Sequence, residues 1–319
     1  MKKEKIDFAV GGQALIEGIM MRSEHFLVIG TRTREGEIKL KSEAYQMLSQ
    51  RYKFLNIPVL RGVINFFEMM VVGMKALNYS ANESLLEIKP SKEKDAKHNS
   101  DSLISVLHML FTVVFAIGIG LLLFKVLPLL LTEMVSTVSP FIDTHFWAYN
   151  SLDGVIKILF FLAYVYLIGL IPDIKRVFQY HGAEHKSIFA YEKEQPLEPK
   201  YACKNSRLHP RCGTSFIIIV FIISVIVYTI MPNNPVFLMK LAERIAILPL
   251  IAGIAYEFLK FSAKFQNNFL MKLMITPGLW FQRITTKEPD DKQLEVGLKA
   301  LSEALRLENN LKQNGGKSN

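Results

Sequence analysis

The sequence is poor in cysteine and lacks several common functional patterns. Its 319 residues include two cysteines, Cys203 and Cys212, which form no disulfide framework and suit a reducing compartment. The N-terminus, MKKEKIDFAVGGQ, starts basic but lacks the long apolar core of a signal peptide. The segment at residues 11–22 lacks the G-x-x-x-x-G-K pattern of a phosphate-binding loop, and the chain has no internal repeat.

The sequence is instead rich in positive charge and in apolar residues. Its formal net charge is +9 and its pI is about 9.3. Half of the residues are hydrophobic and the mean hydropathy is +0.22, which indicates that part of the chain lies in lipid. A basic balance suits either nucleic acid or anionic lipid. Because no lysine- and arginine-rich block is interleaved with aromatic residues, membrane lipid is the expected partner and nucleic acid is not.

Four apolar segments are long enough to cross a bilayer as helices. The clearest begins at Leu103, has 22 residues and carries no formal charge. At about 1.5 Å per residue it covers the roughly 30 Å hydrocarbon core. The fourth is less regular, because Lys240, Glu243, Arg244 and Glu257 interrupt it. The predicted spans are Leu103–Phe124, Val155–Ile171, Ser215–Met231 and Val236–Phe258.

Charge asymmetry between the connecting segments predicts the topology. Residues 125–153 contain one lysine or arginine, whereas residues 172–214 contain eight. The positive-inside rule therefore places residues 172–214 in the cytoplasm. With four spans both termini are cytoplasmic too, which describes a multi-pass protein of the cell membrane.

The remaining segments predict a small cytoplasmic α+β part. Residues 26–42 have the alternation of a β-hairpin, with Gly36 in its turn. Residues 55–79 have the periodicity of an interfacial helix. Residues 267–281 are amphipathic, with Pro277-Gly278 as a break, and residues 288–312 form a capped helix. The segment GGQALIEGIMMR at 11–22 is either a buried turn with a short strand or a functional loop that presents Glu17 or Arg22.

The fold class is therefore mainly α, a polytopic helical membrane protein with about four spans and a small α+β cytoplasmic part. The predicted organisation is an N-terminal α+β region with an interfacial helix (1–81), a polar linker (82–102), a transmembrane hairpin (103–171), a cytoplasmic His/Cys loop (172–214), a second transmembrane hairpin (215–258), and C-terminal cytoplasmic helices with a tail (259–319).

The stretch from Tyr180 to Thr214 concentrates the side chains that bind soft metals. It begins with His181-Gly182-Ala183-Glu184-His185, an H-x-x-E-H pattern. On a helix, positions i, i+3 and i+4 are neighbours, so both imidazoles and the carboxylate share one face. Two such histidines can bind zinc, and a glutamate beside them can take a proton from water, as in the inverted zinc proteases. Those enzymes take a third ligand from a distant downstream glutamate, a position that Glu257 fits.

The second half of the stretch supplies further ligands. His209 and Cys212 lie just before the third span, and imidazole with thiolate suits Zn²⁺ or another transition metal better than magnesium or calcium. The candidate metal ligands are His181, His185, His209, Cys212 and Glu257, with His181 and His185 the strongest. Cys203 lacks metal-ligand spacing. A catalytic or substrate-binding metal, a purely structural zinc and an unliganded cluster all remain open.

Four segments of the sequence resemble the bacterial YqhQ-like family. They are GGQALIEGIMMR at 11–22, YHGAEHKSIFAYE at 180–192, RLHPRCGTSF at 207–216 and TTKEPDDKQLEVGLKAL at 285–301. The resemblance implies a multi-pass membrane protein described as a predicted metal-dependent enzyme, with no established reaction or substrate. It also implies that HGAEH and HPRCG belong to one site.

The resulting hypothesis is a metal-dependent hydrolase at the cytoplasmic membrane surface, acting on a peptide or a lipid-linked substrate. Glu184 is the predicted general base, and Arg211 is predicted to stabilise developing negative charge. The first alternative is a non-enzymatic scaffold with a structural zinc, which docks a partner protein or anionic lipid. The second is a carrier that uses His108, Glu243 and Glu257. Whether the chain forms a homo-oligomer is left open.

Overall fold

A computed structural model of the chain describes residues 10–85, 101–231, 236–264 and 268–315. Most of the predicted polar linker, residues 86–100, lies outside the described residues. The described residues form two compact units. The first unit takes its residues from Met1–Glu87, Tyr166–Ile219 and Ala252–Asn319, and the second from Ile88–Val165 and Val220–Ile251.

The first unit is built on an antiparallel four-stranded sheet with the strand order β1-β2-β3-β4. The predicted hairpin is confirmed as β3 and β4, and its turn places Gly36 at a φ of 92°. The segment at 11–22 forms a second hairpin, so the interpretation as a turn with short strands is confirmed. The strands are β1 (Gly11–Leu15), β2 (Gly18–Arg22), β3 (Phe26–Arg32) and β4 (Ile38–Ala44).

The central strands β2 and β3 are apolar on both faces because helices cover both sides of the sheet. The first unit contains α1 (Leu48–Arg51), a 3₁₀ turn (Lys53–Leu55), α2 (Leu60–Leu85), α7 (Pro172–Glu192), α8 (Pro199–Ala202), α12 (Phe269–Thr285) and α13 (Asp291–Gly315). Ile19 and Met21 pack with α7 and α13, whereas Leu15 and Met20 pack with α2. The edge strand β4 is exposed and charged, which discourages pairing with another chain.

Two C-terminal helices differ in how well the sequence predicted them. Helix α13 begins with a reciprocal cap, in which Asp290 accepts from the Gln293 amide at 2.7 Å and Gln293 accepts from the Asp290 amide at 3.0 Å. The predicted capped helix is thus confirmed. The predicted break at Pro277-Gly278 is wrong, because α12 continues through Pro277. Beyond the proline, Gln282 hydrogen-bonds Ser215 and His209, and these tertiary contacts hold the last turns.

Three helical segments are long and apolar enough to cross a membrane, at Leu110–Val138, Phe146–Ile168 and Gly213–Ile230. The first comprises the part of α3 (Asp101–Leu121) from Leu110 onward, a π-helical turn (Leu122–Val126) and α4 (Leu127–Val138), which form one continuous run. The other two are α6 (Phe146–Ile168) and α9 (Gly213–Ile230), with the short α5 (Pro140–Thr144) before α6.

The fourth predicted span is not confirmed. Its segment forms two helices, α10 (Phe237–Ala246) and α11 (Leu248–Lys264), separated at Ile247. Lys240 and Arg244 of α10 are buried among carboxylates rather than facing lipid. The prediction that both termini are cytoplasmic rested on this fourth span, so it stays a prediction. The predicted His/Cys loop at 172–214 is largely helical, because α7 and α8 occupy it.

Candidate metal centre

Helix α7 carries the first half of the centre. Pro172 at its first turn has no amide hydrogen to leave unpaired, and Asp173 places negative charge at the positive end of the helix dipole. The helix runs to Glu192, so His181, Glu184 and His185 share one face as the spacing predicted. Every residue from Tyr180 to Ile188 is buried or nearly so, because the sheet covers α7 on one side and the segments around Cys212 and Thr285 cover the other.

Three ligand atoms converge at this face. His181, His185 and Cys212 each offer one atom, and these atoms all lie within 4.8 Å of one another. The Nε2 atom of His181 is 3.1 Å from Sγ of Cys212, and the rings of His181 and His185 have centroids 4.5 Å apart. Two imidazoles and one thiolate are a donor set that suits zinc.

Backbone carbonyls orient both imidazoles toward the centre. Nδ1 of His181 donates to the carbonyl of Thr285 at 2.9 Å, and Nδ1 of His185 donates to that of Arg207 at 2.5 Å. In the neutral form of each ring, Nε2 then carries the lone pair that faces the centre, an arrangement common around zinc-bound histidines. Nε2 of His185 is buried and has no hydrogen-bond partner in the part of the chain that the structure describes. Burial also lowers the pKa of His185, which favours the neutral form that binds metals.

Cys212 lies one residue before α9 and receives polar contacts from its first turn. The backbone amide of Thr214 donates to Sγ at 3.4 Å, and the Thr214 hydroxyl lies 3.1 Å from the same atom. These contacts fix the position of Sγ at the start of α9. Cys212 is 7% exposed, so this is a buried thiol rather than a surface thiol.

Glu184 lies beside the three ligands without being one of them. Its Oε2 is 4.0 Å from Nε2 of His181. Burial raises the pKa of Glu184 above its ordinary value, although His181, His209 and a hydrogen bond from the Gly12 amide oppose this effect. A buried carboxylate with a raised pKa beside a metal site has the property of a general base.

Gly12 is a site residue that sequence reasoning missed. A Cβ atom at this position would lie 2.7 Å from Cγ of Glu184, so β1 can approach the glutamate only as glycine. The pair of glycines in GGQALIEG was visible in the sequence, but nothing there linked it to Glu184. Glu17 of the same segment instead pairs with Arg176 at 2.5 Å and accepts from Tyr180 at 3.2 Å.

Gln282 is a second residue that sequence reasoning missed. This fully buried amide accepts from the His209 amide at 2.8 Å, donates to the His209 carbonyl at 2.8 Å and donates to Ser215 at 2.9 Å. It therefore holds the His209 backbone before Cys212 and the Ser215 side chain after it. A lone glutamine on an amphipathic helix gave no signal of this role.

The structure places the other predicted site residues outside the group of three. His209 lies behind His185, with Nε2 3.2 Å from Glu192. Arg211 donates to the same Glu192 carboxylate. Glu257 accepts from Nε of Arg61 at 2.6 Å and from a second guanidinium nitrogen. Cys203 is exposed. Glu257, which was predicted as a distant ligand by analogy with the inverted zinc proteases, is therefore not brought to the group of three.

Fold and site together define a mainly helical protein with three helices suited to crossing a membrane and a buried histidine–cysteine cluster. Residues 57–307 match the family described as protein of unknown function DUF1385, and the chain belongs to that family. It is 34% identical over 319 residues to the uncharacterized protein YqhQ of Bacillus subtilis (strain 168), covering 98% of each chain. The resemblance to the YqhQ-like family is thus confirmed. No solved structure matches the chain.

Proposed function

We propose that this protein is a zinc-dependent hydrolase that acts at a membrane surface. The observation that carries the proposal is the convergence of His181, His185 and Cys212 beside the buried carboxylate of Glu184. Three protein ligands leave a fourth position open, which is the arrangement of catalytic rather than structural zinc sites. When bound there, zinc supplies Lewis-acid chemistry.

The protein's own residues divide the remaining work. His181 and His185 hold the metal through Nε2, and the carbonyls of Thr285 and Arg207 fix their orientation. Glu184 takes one proton from the attacking water as the new bond to the acyl or phosphoryl centre forms. It returns that proton to the leaving group as the old bond breaks, so the reaction consumes one water and changes no oxidation state.

The substrate class follows from the setting of the protein. Three helices are compatible with a bilayer, which supports a peptide or lipid-linked substrate presented at the membrane. Arg211 was predicted to stabilise charge, but its pairing with Glu192 supports a different role, holding the HPRC segment against α7.

Metal analysis tests the first half of the proposal. The full-length protein purified in detergent is expected to contain one zinc per chain by elemental mass spectrometry. His185→Ala is expected to lose it, whereas Glu184→Gln is expected to keep it. Protein that binds no stoichiometric transition metal after zinc loading would overturn the proposal.

X-ray absorption at the zinc edge tests the second half. A shell of two nitrogens, one sulfur and one water oxygen supports catalysis. A shell of four protein groups favours the scaffold hypothesis, in which the zinc is structural and the basic protein docks a partner or anionic lipid. Loss of hydrolysis in Glu184→Gln with zinc retained then assigns the base.

A further inference from the structure

The second unit contains a group of buried and half-buried charges within its apolar helices. Helices of a membrane protein normally exclude such residues unless they serve a function. The members come from four different helical segments and touch one another. They are Lys125, Glu133, Asp153, Lys157, Lys240 and Arg244, with Tyr149, Asn150 and Tyr228 between them.

One part of this group is electrically balanced. Lys240 lies 3.1 Å from Glu133 and 3.3 Å from the hydroxyl of Tyr149, which in turn donates to Glu133 at 2.5 Å. One ammonium meets one carboxylate here, and Glu133 is partly exposed. This pair requires no further ligand.

The other part is not balanced. Lys157 and Arg244 both donate to Oδ2 of Asp153, and Arg244 also donates to Asn150. Lys125 donates to the hydroxyl of Tyr228 at 3.2 Å and forms no ion pair with a carboxylate that the structure describes. The three cations all lie near the ring of Tyr228. The distance to its centroid is 5.4 Å from Lys125, 5.2 Å from Lys157 and 5.0 Å from Arg244.

Positive charge therefore exceeds negative charge within this connected group. The connected residues include four cations and two carboxylates, and counting Glu243 of α10 as a third still leaves one cation in excess. Lys125, the cation without an ion pair among the described residues, is half-buried, and partial removal of such a charge from water is unfavourable. An anion of one to two charges would offset this excess, and phosphate has that charge.

The backbone at Lys125 is unusual independently of charge. Residues Leu122–Val126 form a π-helical turn, and Pro128 has no amide hydrogen to offer the carbonyl of Phe124. Such turns widen a helix and occur often at functional sites. In addition, Oδ1 of Asp153 is buried without a hydrogen-bond donor among the described residues. A phosphate that carries a hydroxyl group can satisfy both the excess cation and this acceptor.

We propose that the second unit binds a phosphate-bearing ligand at Lys125, close to Lys157 and Asp153. The phosphate can belong to a lipid headgroup, such as phosphatidylglycerol with its hydroxyls, or to free phosphate, and these share the same recognition chemistry. All the residues lie in the second unit, so the site does not depend on the proposed metal centre.

Thermal unfolding in nanodiscs distinguishes the two sources. Full-length protein in phosphatidylcholine discs is compared with protein in discs that also contain phosphatidylglycerol, and inorganic phosphate is titrated into the first preparation. A higher Tm with phosphatidylglycerol alone assigns a lipid headgroup. A higher Tm with phosphate assigns a free anion, because a ligand that binds only the folded state stabilises it.

Lys125→Met is expected to lower, by at least tenfold, the affinity for the ligand that raises the Tm. Lys175→Met, which removes an exposed lysine of α7, is the matched control and is expected to respond as the unaltered protein does. Lys125→Arg keeps the charge and is expected to retain binding.

A measurement on the unaltered protein tests the proposal even if the Lys125 variant does not fold. Native mass spectrometry of protein released from mixed discs is expected to show retained phosphatidylglycerol or phosphate in preference to phosphatidylcholine. Retention of neither, or an equal Tm response in Lys125→Met and Lys175→Met, would overturn the proposal.

Discussion

The two buried polar clusters of this protein differ in what they present at their centre. In the first unit, backbone carbonyls engage the proton-bearing nitrogens of His181 and His185, so lone pairs face inward with the thiol of Cys212. In the second unit, ammonium and guanidinium groups surround Tyr228 with one carboxylate between them. We propose that the first cluster binds a cation and that the second binds an anion. The comparison teaches that the nature of a buried site depends on how its donors are already engaged, and not only on its residue types.

The two cysteines offer the largest test of the first cluster. Cys212→Ser is expected to weaken zinc binding more than about 100-fold, because it replaces a thiolate ligand of the metal with a weakly coordinating hydroxyl. Cys203→Ser is the matched control, since Cys203 is exposed and lies outside the cluster. Competition with a chromogenic zinc chelator measures both affinities. Equal affinities in the two variants would remove Cys212 from the metal centre.

The two adjacent glycines test the close packing of strand β1 against the Glu184 side chain. Gly12→Ala is expected to lower the free energy of unfolding by about 1–3 kcal/mol, because the new methyl group meets Glu184. Gly11→Ala is the control, since a Cβ there meets nothing within 4 Å. Chemical denaturation of the two variants gives the comparison. A similar decrease in the free energy of unfolding in both variants would mean that β1 does not pack closely against Glu184.

Substitution of Gln282 tests whether a residue that is not itself a ligand contributes to zinc affinity by positioning Cys212. Gln282→Leu removes three hydrogen bonds around His209 and Ser215 at similar volume. Zinc affinity is expected to fall by about 10–100-fold, as is usual when groups that orient metal ligands are lost. The exposed Gln50→Leu change of the same type serves as control. Unchanged zinc affinity in Gln282→Leu would show that Cys212 is positioned without this amide.

Substitution of Glu257 has the smallest expected effect and tests whether this residue belongs to the candidate metal centre. Glu257→Gln breaks its ion pair with Arg61, a partly exposed pair, and is expected to cost about 1 kcal/mol of stability. Zinc content by elemental mass spectrometry is expected to stay at the level of the unaltered protein. Loss of zinc in this variant would restore Glu257 as the distant ligand that the H-x-x-E-H analogy predicts.

Local patterns predicted the parts of the fold that depend on neighbouring residues. The β3–β4 hairpin and the capped helix α13 follow from alternation, helical spacing and an acidic first turn, whereas helix α7 lies in a segment that was predicted as a loop. The shared face of His181, Glu184 and His185 follows from the same spacing. The fourth span is not confirmed, because Lys240 and Arg244, visible in the sequence as interruptions of residues 236–258, pair with carboxylates on other helices.

Contacts between distant segments decided the rest. The sequence by itself determined which residue types were available, that the two cysteines form no disulfide framework, and that two histidines and a glutamate would share one face of a helix. Only the tertiary structure decided that Cys212 joins the histidines, that Cys203, His209 and Glu257 do not, and that Gly12 and Gln282 support the centre. The physical reason is that ligand convergence and charge balance depend on distances of a few ångströms between segments far apart in the chain, which no local periodicity encodes.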